Sequence, residues 1–456
     1  MDKQTDSLMY RSRFDVTRGS IPESIWRLAL PMIAANMLQT LFNVVDMIFV
    51  GRLGPSSIAA VALSGVIMML IMTVLMGLAI ATQAMVARFV GARDSTAAAD
   101  IATQSLLLGT IASLLLACVG IIFSPYLLRM LGATDDVLRL GTGYLRIMFA
   151  GSLTMFLMFL IRAILHGAGN AVVPMRLLMF STILNIILDP LLIFGIGFFP
   201  KLGVNGAAYA TVSARGIGMI IGLFILFKGR SGIKLRPRKL RIDLNLMWRI
   251  VRMGIFSSLQ ALLRNISQMA ITRIVAVYGT FAIAAYGIGM RVRMVVMMPG
   301  FGLATAAATL VGQSLGAQDP ERAEKSGYLS VLFYEIFMVS LGIFFFIFAR
   351  QVVGIFNSQP EVIDVGSMYL RILSLSFVFL ASSIVLGRAM NGAGDTLSPM
   401  IITLVALLGL RIPLAVGLSR EMGTNGIWLG MALSDVANGV ITTFWFSRGK
   451  WKEKKV

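Results

Sequence analysis

The chain has 456 residues, of which 57% are hydrophobic and 13% charged, and its mean hydropathy is +0.85. Globular domains carry about a quarter of their residues as Asp, Glu, Lys or Arg, so this composition excludes an ordinary soluble protein, a disordered chain and a fibre. The net charge of +19 comes from 40 Lys and Arg against 21 Asp and Glu, and it does not imply nucleic acid, because the basic residues gather at the ends of apolar runs. A single cysteine, Cys118, and a single histidine, His166, exclude a zinc or haem centre built from several such ligands, and no cofactor is expected.

In chain order, the polar and basic segment 1–24 lacks the apolar core and small-residue cleavage site of a signal peptide. Twelve apolar runs follow, each long enough to cross about 30 Å of hydrocarbon. In the first half they are Leu28–Val50, Ile58–Val86, Ala98–Phe123, Gly141–Leu165, Val173–Gly195 and Gly206–Phe227. In the second half they are Trp248–Tyr278, Ile283–Val311, Ser326–Phe348, Val365–Met390, Ser398–Leu418 and Gly426–Phe446. Only helices and closed barrels satisfy their backbone polar groups in lipid. The runs are too long, and alternate too little, for barrel strands, so the reading is an all-α polytopic membrane protein. Its expected divisions are a first lobe at 25–227, a basic linker at 228–246, a second lobe at 247–447 and a basic tail at 448–456. Ser20-Ile-Pro-Glu23 and Ser358-Gln-Pro-Glu361 read as capping boxes with proline in the first turn, and Asp319-Pro320 as a similar start.

Orientation follows from the Lys and Arg count in alternate connections. One side carries Lys3, Arg11, Arg13, Arg18, Arg88 and Arg93, then Lys228, Arg230, Lys234, Arg236, Arg238, Lys239 and Arg241, and finally Arg448, Lys450, Lys452, Lys454 and Lys455. The other side has little beyond Arg52, Arg129, Lys201, Arg350 and Arg420. Both termini are therefore expected in the cytoplasm, with the protein in the plasma membrane. As the link between two six-helix halves, the 228–243 block needs no nucleic acid to explain it.

Shifted by 225 residues, the sequence partly overlays itself. VARFVGARD at 86–94 meets VGQSLGAQD at 311–319, YLRIM at 144–148 meets YLRIL at 369–373, and HGAGNAVVPM at 166–175 meets NGAGDTLSPM at 391–400. At a shift of 220, Gly203, Asn205 and Gly206 meet Gly423, Asn425 and Gly426. Matches in this order mark a duplication. An even number of spans per half makes the two repeats parallel, an architecture that suits a site between halves and alternating access by rocking. Arg146 and Arg371, kept in both halves, read as structural.

The residues that break the repeat are better candidates for specialised work. Asn36, Gln39, Asn43 and Asp46 recur every three or four residues along one face of the first span. Asn185 and Asp189 lie one turn apart in the fifth span, followed by Pro190. That proline leaves the carbonyl near Ile186 without its helical donor, and Pro31 similarly loosens the first span, so both are candidate hinges. Acids within spans are functional candidates by default. The second half has Ile271 opposite Asp46, and Leu414 or Ile412 opposite Asp189. Either each acid pairs with an intramembrane arginine such as Arg162 or Arg215 to lock packing, or the two stand unpaired. Unpaired, they would bind H⁺ when desolvated, or hold Na⁺ between carboxylate and amide oxygens. Gln260, Arg264 and Gln268 form a stripe in the second half, expected to line the same cavity. Glu335 and Asp435 are expected to pair with Arg291, Arg293, Arg411 or Arg264. Thirty methionines include Met68, Met69, Met72 and Met76 and Met290, Met294, Met297 and Met298, whose flexible thioethers suit an adaptable apolar pocket.

Together the twelve spans in two parallel halves, the first-span pattern Pro31, Gln39, Asn43, Asp46 and Gly51, the GARD and GAQD loops and the paired GAG turns resemble the multidrug and toxic compound extrusion (MATE) transporters from Ile25 to Phe446. The resemblance implies two lobes arranged as a V, and export of amphipathic, often cationic compounds in exchange for H⁺ or Na⁺. It is nearest to the DinF-type and archaeal branch, which uses first-half acids. It assigns coupling to Asp46, Asp189 and Asn185, adds Thr211 to that polar network as a Na⁺ ligand, and places Gln39 on the cavity wall. The NorM-type branch uses acids in the seventh and tenth spans, and here those spans hold neither Asp nor Glu. Arg162 departs from the smaller polar residue common among relatives. Partners are then the lipid bilayer and small amphipathic molecules, with no nucleic acid and a monomeric chain. One rival is a related flippase of lipid-linked saccharides, which would gather Arg264, Arg291 and Arg293 around a pyrophosphate. A membrane-embedded transferase is a weaker rival, because no connection is long enough for a soluble lobe.

Overall fold

A computed structural model describes residues 16–229, 232–235 and 242–454. The expected basic residues Lys3, Arg11, Arg13, Arg230, Arg236, Arg238, Lys239, Arg241 and Lys455 lie outside them. All regular structure among the described residues is helical. In the first half the helices are α1 (Ile21–Gly51), α2 (Pro55–Gly91), α3 (Ser95–Met130), α4 (Asp135–Ala150), α5 (Ser152–Gly167), α6 (Val172–Phe194) and α7 (Val204–Lys228). In the second they are α8 (Leu244–Ala276), α9 (Thr280–Gly316), α10 (Pro320–Phe356), α11 (Pro360–Ser374), α12 (Phe377–Gly392), α13 (Leu397–Thr403), α14 (Arg411–Met422) and α15 (Thr424–Ser447). A π-helical turn, Leu404–Leu410, joins α13 to α14, and a short 3₁₀ turn, Lys450–Glu453, follows α15.

Nine of the described helices, with Leu397–Met422 taken as one, are long and apolar enough to cross a membrane, and two bent pairs raise the number to eleven. The remaining expected span is α8. Its 33 residues include Arg249, Arg252, Arg264 and Arg273, which lower its hydropathy, but its length of about 50 Å is ample for a bilayer.

The fourth and tenth spans, read from the sequence as unbroken, are each broken in the middle. The bend is 48° between α4 and α5 and 57° between α11 and α12. Gly151 (φ −82°, ψ 2°) and Ser376 (φ −92°, ψ −2°) carry the two breaks, and these positions are 225 residues apart. Other details repeat at the same offset. Arg146 Nε donates to the Ile121 carbonyl at 3.2 Å, and Arg371 Nε to the Phe346 carbonyl at 3.3 Å. Asp94 and Asp319 each cap a helix by accepting from a backbone N–H at 2.9 Å. Before them, Arg93 and Gln318 hold φ of 60° and 61°, a left-handed conformation costly for side chains other than glycine. Strain kept in both copies marks a turn imposed by its packing. The expected cap at Ser358 is displaced. Gln359 precedes α11 with no side-chain bond, and Asn357 Oδ1 instead accepts from the Gln359 N–H at 2.7 Å.

Two compact units result. One comprises Ala34–Gly254; the other combines Val16–Ile33 with Ile255–Val456. Residues 25–33 thus pack with the second unit and 247–254 with the first, across the lobe boundaries expected from counting spans. In α1 the change of unit falls between Ile33 and Ala34, two residues after Pro31. Val16–Ile33 is held by Arg322, which donates to the Val16 and Gly19 carbonyls at 3.0 Å each, and by Trp26 against Phe333 at 5.4 Å between ring centres.

Within the first unit, α2 packs on α3 and α5, and α7 on α4, α5 and α6. Val50, Val61, Leu128, Leu145, Phe149, Ile193 and Val204 form its main apolar core. In the second unit, α9 packs on α10 and α12, and α15 on α12 and α14. There Tyr286 and Trp428 stack at 5.7 Å, with Tyr369 edge-on to Trp428 at 4.9 Å. Gly206 shows why the contact between α6 and α7 needs a missing side chain: a Cβ there would sit 2.4 Å from the Leu192 carbonyl oxygen. Backbone cannot step aside as a side chain can. Gly206→Ala should therefore cost about 1–3 kcal/mol by overpacking, read as a lower melting temperature of the detergent-solubilised protein. Gly65→Ala, whose Cβ meets nothing within 4 Å, should not lower it.

Candidate functional site

Asp189, Asn185 and Asp46 are 0%, 0% and 9% exposed, so both acids are inside the first unit and neither faces lipid. Asn185 Nδ2 donates to Asp189 Oδ1 at 3.2 Å and reaches Thr211 Oγ1 on α7 at 3.5 Å. The i, i+4 spacing on α6 and the close approach of α7 at Gly206 bring these three side chains together. Asp46, from α1, is near enough for its charge to interact with Asp189. Asp46 Oδ1, Asn185 Oδ1 and Asp189 Oδ2 are all buried and lack a hydrogen-bond donor. Three such oxygens in one region create a demand for positive charge, because buried polar groups are normally satisfied.

The alternative in which arginines clamp these acids is not what forms. Among the described residues no guanidinium lies within ion-pair distance of Asp46 or Asp189. Arg215 packs over the Phe42 ring at 5.0 Å and Arg162 over Phe159 at 5.5 Å. Arg215 acts on Asp46 only at longer range. Tyr144, buried in α4, interacts electrostatically with Asp46, Asp189 and Arg215. It was hidden in the sequence because it belongs to the repeated YLRI motif and reads there as structural. Elsewhere on the α1 stripe, Gln39 Nε2 donates to Asn43 Oδ1 at 3.4 Å, with Asn36 and Gln39 half-buried and Asn43 exposed. Met72, Met76, Phe156 and Phe159 line an apolar crevice in the same unit, beside the ring that Arg162 covers.

The second unit has the opposite polarity. Asp435 is 1% exposed and receives Arg293 at 2.7 Å as well as a close bond from Arg411, whose Nε also donates to Ser434. At the 220-residue shift of the last span in each half, Asp435 stands where the first half has Arg215. Among the described residues the first half leaves its acids without guanidinium contact, whereas the second clamps its acid between two guanidinium groups. The π-helical turn that ends immediately before Arg411 adds residues without adding turns, and Ser267 donates to one of its carbonyls, Leu407, at 3.1 Å. Glu335, expected to pair with arginine, instead accepts from Ser382 at 2.6 Å.

The expected stripe on α8 separates. Gln260 is buried, donating to Thr403 at 3.0 Å and to the Pro399 carbonyl at 3.2 Å, so it is a packing residue of the second unit. Gln268 donates to Tyr286. Arg264 and Arg291 are exposed.

A family model, MatE, matches residues 31–191 and 257–416, one stretch in each half and close to the internal repeat. The chain belongs to the MATE family. Its relatives include the probable multidrug resistance protein NorM of Thermotoga maritima, 28% identical over 96% of this chain and 94% of that one. The FAD transporter of Shewanella oneidensis is 27% identical over 94% and 95%. The fold superposes on the crystal structure of MATE in the bent conformation with a TM-score of 0.89 at 26% identity, covering 95% of this chain and 96% of that one. This MATE protein is therefore a multi-pass membrane transporter and not an enzyme.

The two charged sites should respond differently to neutralisation. Asp435→Asn strands one buried and one half-buried guanidinium group and should cost about 3–5 kcal/mol, visible as a large fall in melting temperature. Asp46→Asn and Asp189→Asn remove no ion pair and should melt close to the parent protein.

Proposed function

We propose that this MATE protein is a secondary active antiporter that exports amphipathic, often cationic compounds in exchange for H⁺ or Na⁺ by alternating access. The observation that carries the reading is the set of three donor-less buried oxygens on Asp46, Asn185 and Asp189, with no arginine among the described residues in ion-pair contact. Thr211 completes a donor set of carboxylate, amide and hydroxyl oxygens that fits Na⁺, a hard cation that takes oxygen ligands. Protonation would satisfy the same atoms. The relative named as a multidrug resistance protein supports the substrate class.

When the transporter opens to the cytoplasm, Asp46 and Asp189 are ionised and attract the cationic end of the substrate. The Met72, Met76, Phe156 and Phe159 crevice offers its apolar body an adaptable surface. Opening outward admits the coupling ion, which neutralises the carboxylates. Bending of α1 near Pro31 and of α6 near Pro190 then re-aims both acids and releases the substrate. One charge moving through 100 mV supplies about 2.3 kcal/mol, before any concentration gradient. The protein works as a monomer in the plasma membrane with both termini cytoplasmic, as the excess of Arg and Lys on one side favours, and it needs no cofactor.

A flippase of lipid-linked saccharides is the second reading. Arg264 favours it, having no ion pair among the described residues, whereas Arg293, committed to Asp435, counts against it. In proteoliposomes with H⁺ and Na⁺ gradients imposed separately, one gradient should drive efflux of a cationic dye. Asp46→Asn and Asp189→Asn should each reduce that efflux to the leak rate. Efflux at the parent rate from either variant would refute the coupling assignment.

A further inference from the structure

Charged groups within a bilayer are expensive, and they persist where they pair or face a water-filled space. The second unit commits Asp435, buried within its last span, to two of its arginines, Arg293 and Arg411. Two others remain. Arg264 on α8 is exposed and Arg388 on α12 is half-buried, and among the described residues neither has an ion pair or a hydrogen bond.

A hydrogen bond between their helices fixes where these two arginines lie. Asn391 Nδ2 donates to Gln260 Oε1 at 3.5 Å. Arg264 follows Gln260 by four residues and Arg388 precedes Asn391 by three. The seventh and tenth spans cross the membrane in opposite directions, so both steps lead the same way from the bond, by about one 5 Å turn. The arginines therefore share a level, and their charges are near enough to interact. The acid beyond Asn391, Asp395, lies on the other side of that bond and is taken by Ser398 at 2.6 Å and Lys454 at 3.9 Å. Two like charges at one level, with no acid among the described residues in ion-pair contact with either, call for an anion from outside. Arginine's planar fork suits a phosphoryl group, which offers several oxygens to two guanidinium groups at once.

We propose that Arg264 and Arg388 form a binding site for the phosphate group of an organic phosphate, carried either by a transported compound or by a lipid headgroup. The site is independent of Asp46 and Asp189 and widens the ligand chemistry beyond cations. Flavin mononucleotide and riboflavin test it, since they share one ring system and differ by a phosphate. Binding of each is measured to the full-length protein in phosphatidylcholine nanodiscs. Flavin mononucleotide should bind about ten-fold or more tighter than riboflavin, in keeping with charge-assisted bidentate bonds. Arg264→Gln and Arg388→Gln should each erase that preference without changing riboflavin binding, Arg388→Lys should keep part of it, and Asp46→Asn should keep all of it. The second arm adds phosphatidylglycerol and follows lipid retained on the purified protein by mass spectrometry. If retention depends on the two arginines, the occupant is a headgroup; if only the flavin preference depends on them, it is a soluble organic phosphate. If neither quantity changes in the arginine variants, the site does not exist.

Discussion

Nearly everything distinctive in this molecule follows from the scarcity of partners for charge inside a membrane. Helices settle the backbone by pairing each N–H and C=O within the span, but side-chain charges must find their own neutralisation. The two units solve this in opposite ways. Asp435 takes Arg293 and Arg411 together, and such a closed triad is best suited to holding α9, α14 and α15 in register. Asp46 and Asp189 are left without such a partner, their arginines turned instead onto Phe42 and Phe159. A carboxylate already locked to a guanidinium has little reason to exchange ions. One such as Asp189, held only by the Asn185 amide, does.

The duplication gives this contrast its meaning. Both halves keep the same strained position before the third-span helix, the same arginine-to-carbonyl bond and the same mid-span break. Because the frames coincide so closely, the side chains that differ stand out. Tyr144 and Tyr369 occupy matching places, yet one lies among the acids of the first unit and the other against Trp428. Arg215 and Asp435 occupy matching places with opposite sign. A duplicated scaffold thus presents two charge environments, one with acids lacking a guanidinium partner among the described residues and one with an acid held by two.

Each unit takes in the start of a helix that otherwise belongs to the other. The beginning of α1 is tied to the second unit by Arg322 and Trp26, while the rest of α1, including Asp46, belongs to the first. The change falls just past Pro31, where the helix lacks a backbone hydrogen bond. The helix that carries one of the two acids thus belongs in part to each unit.

The membrane class, the number of spans, the duplication and the pair of acids were all legible in the amino-acid sequence, because each depends on composition or on spacing along one helix. Hydrophobic length sets a span, i, i+4 spacing sets a shared face, and a repeat is visible as a repeat. What the sequence could not decide was which charges meet. Arg162, Arg215, Arg264, Arg291, Arg293 and Arg411 are chemically alike in a one-dimensional reading, and only packing commits Arg293 and Arg411 to Asp435 while leaving Arg264 and Arg388 open. Gln260 looked like a cavity residue until Thr403 and Pro399, well over a hundred residues away, were found to hold it. The mid-span breaks and the π-helical turn were invisible for the same reason. They come from how neighbouring helices fit, and that fit brings together residues whose separation in the chain carries no local signal.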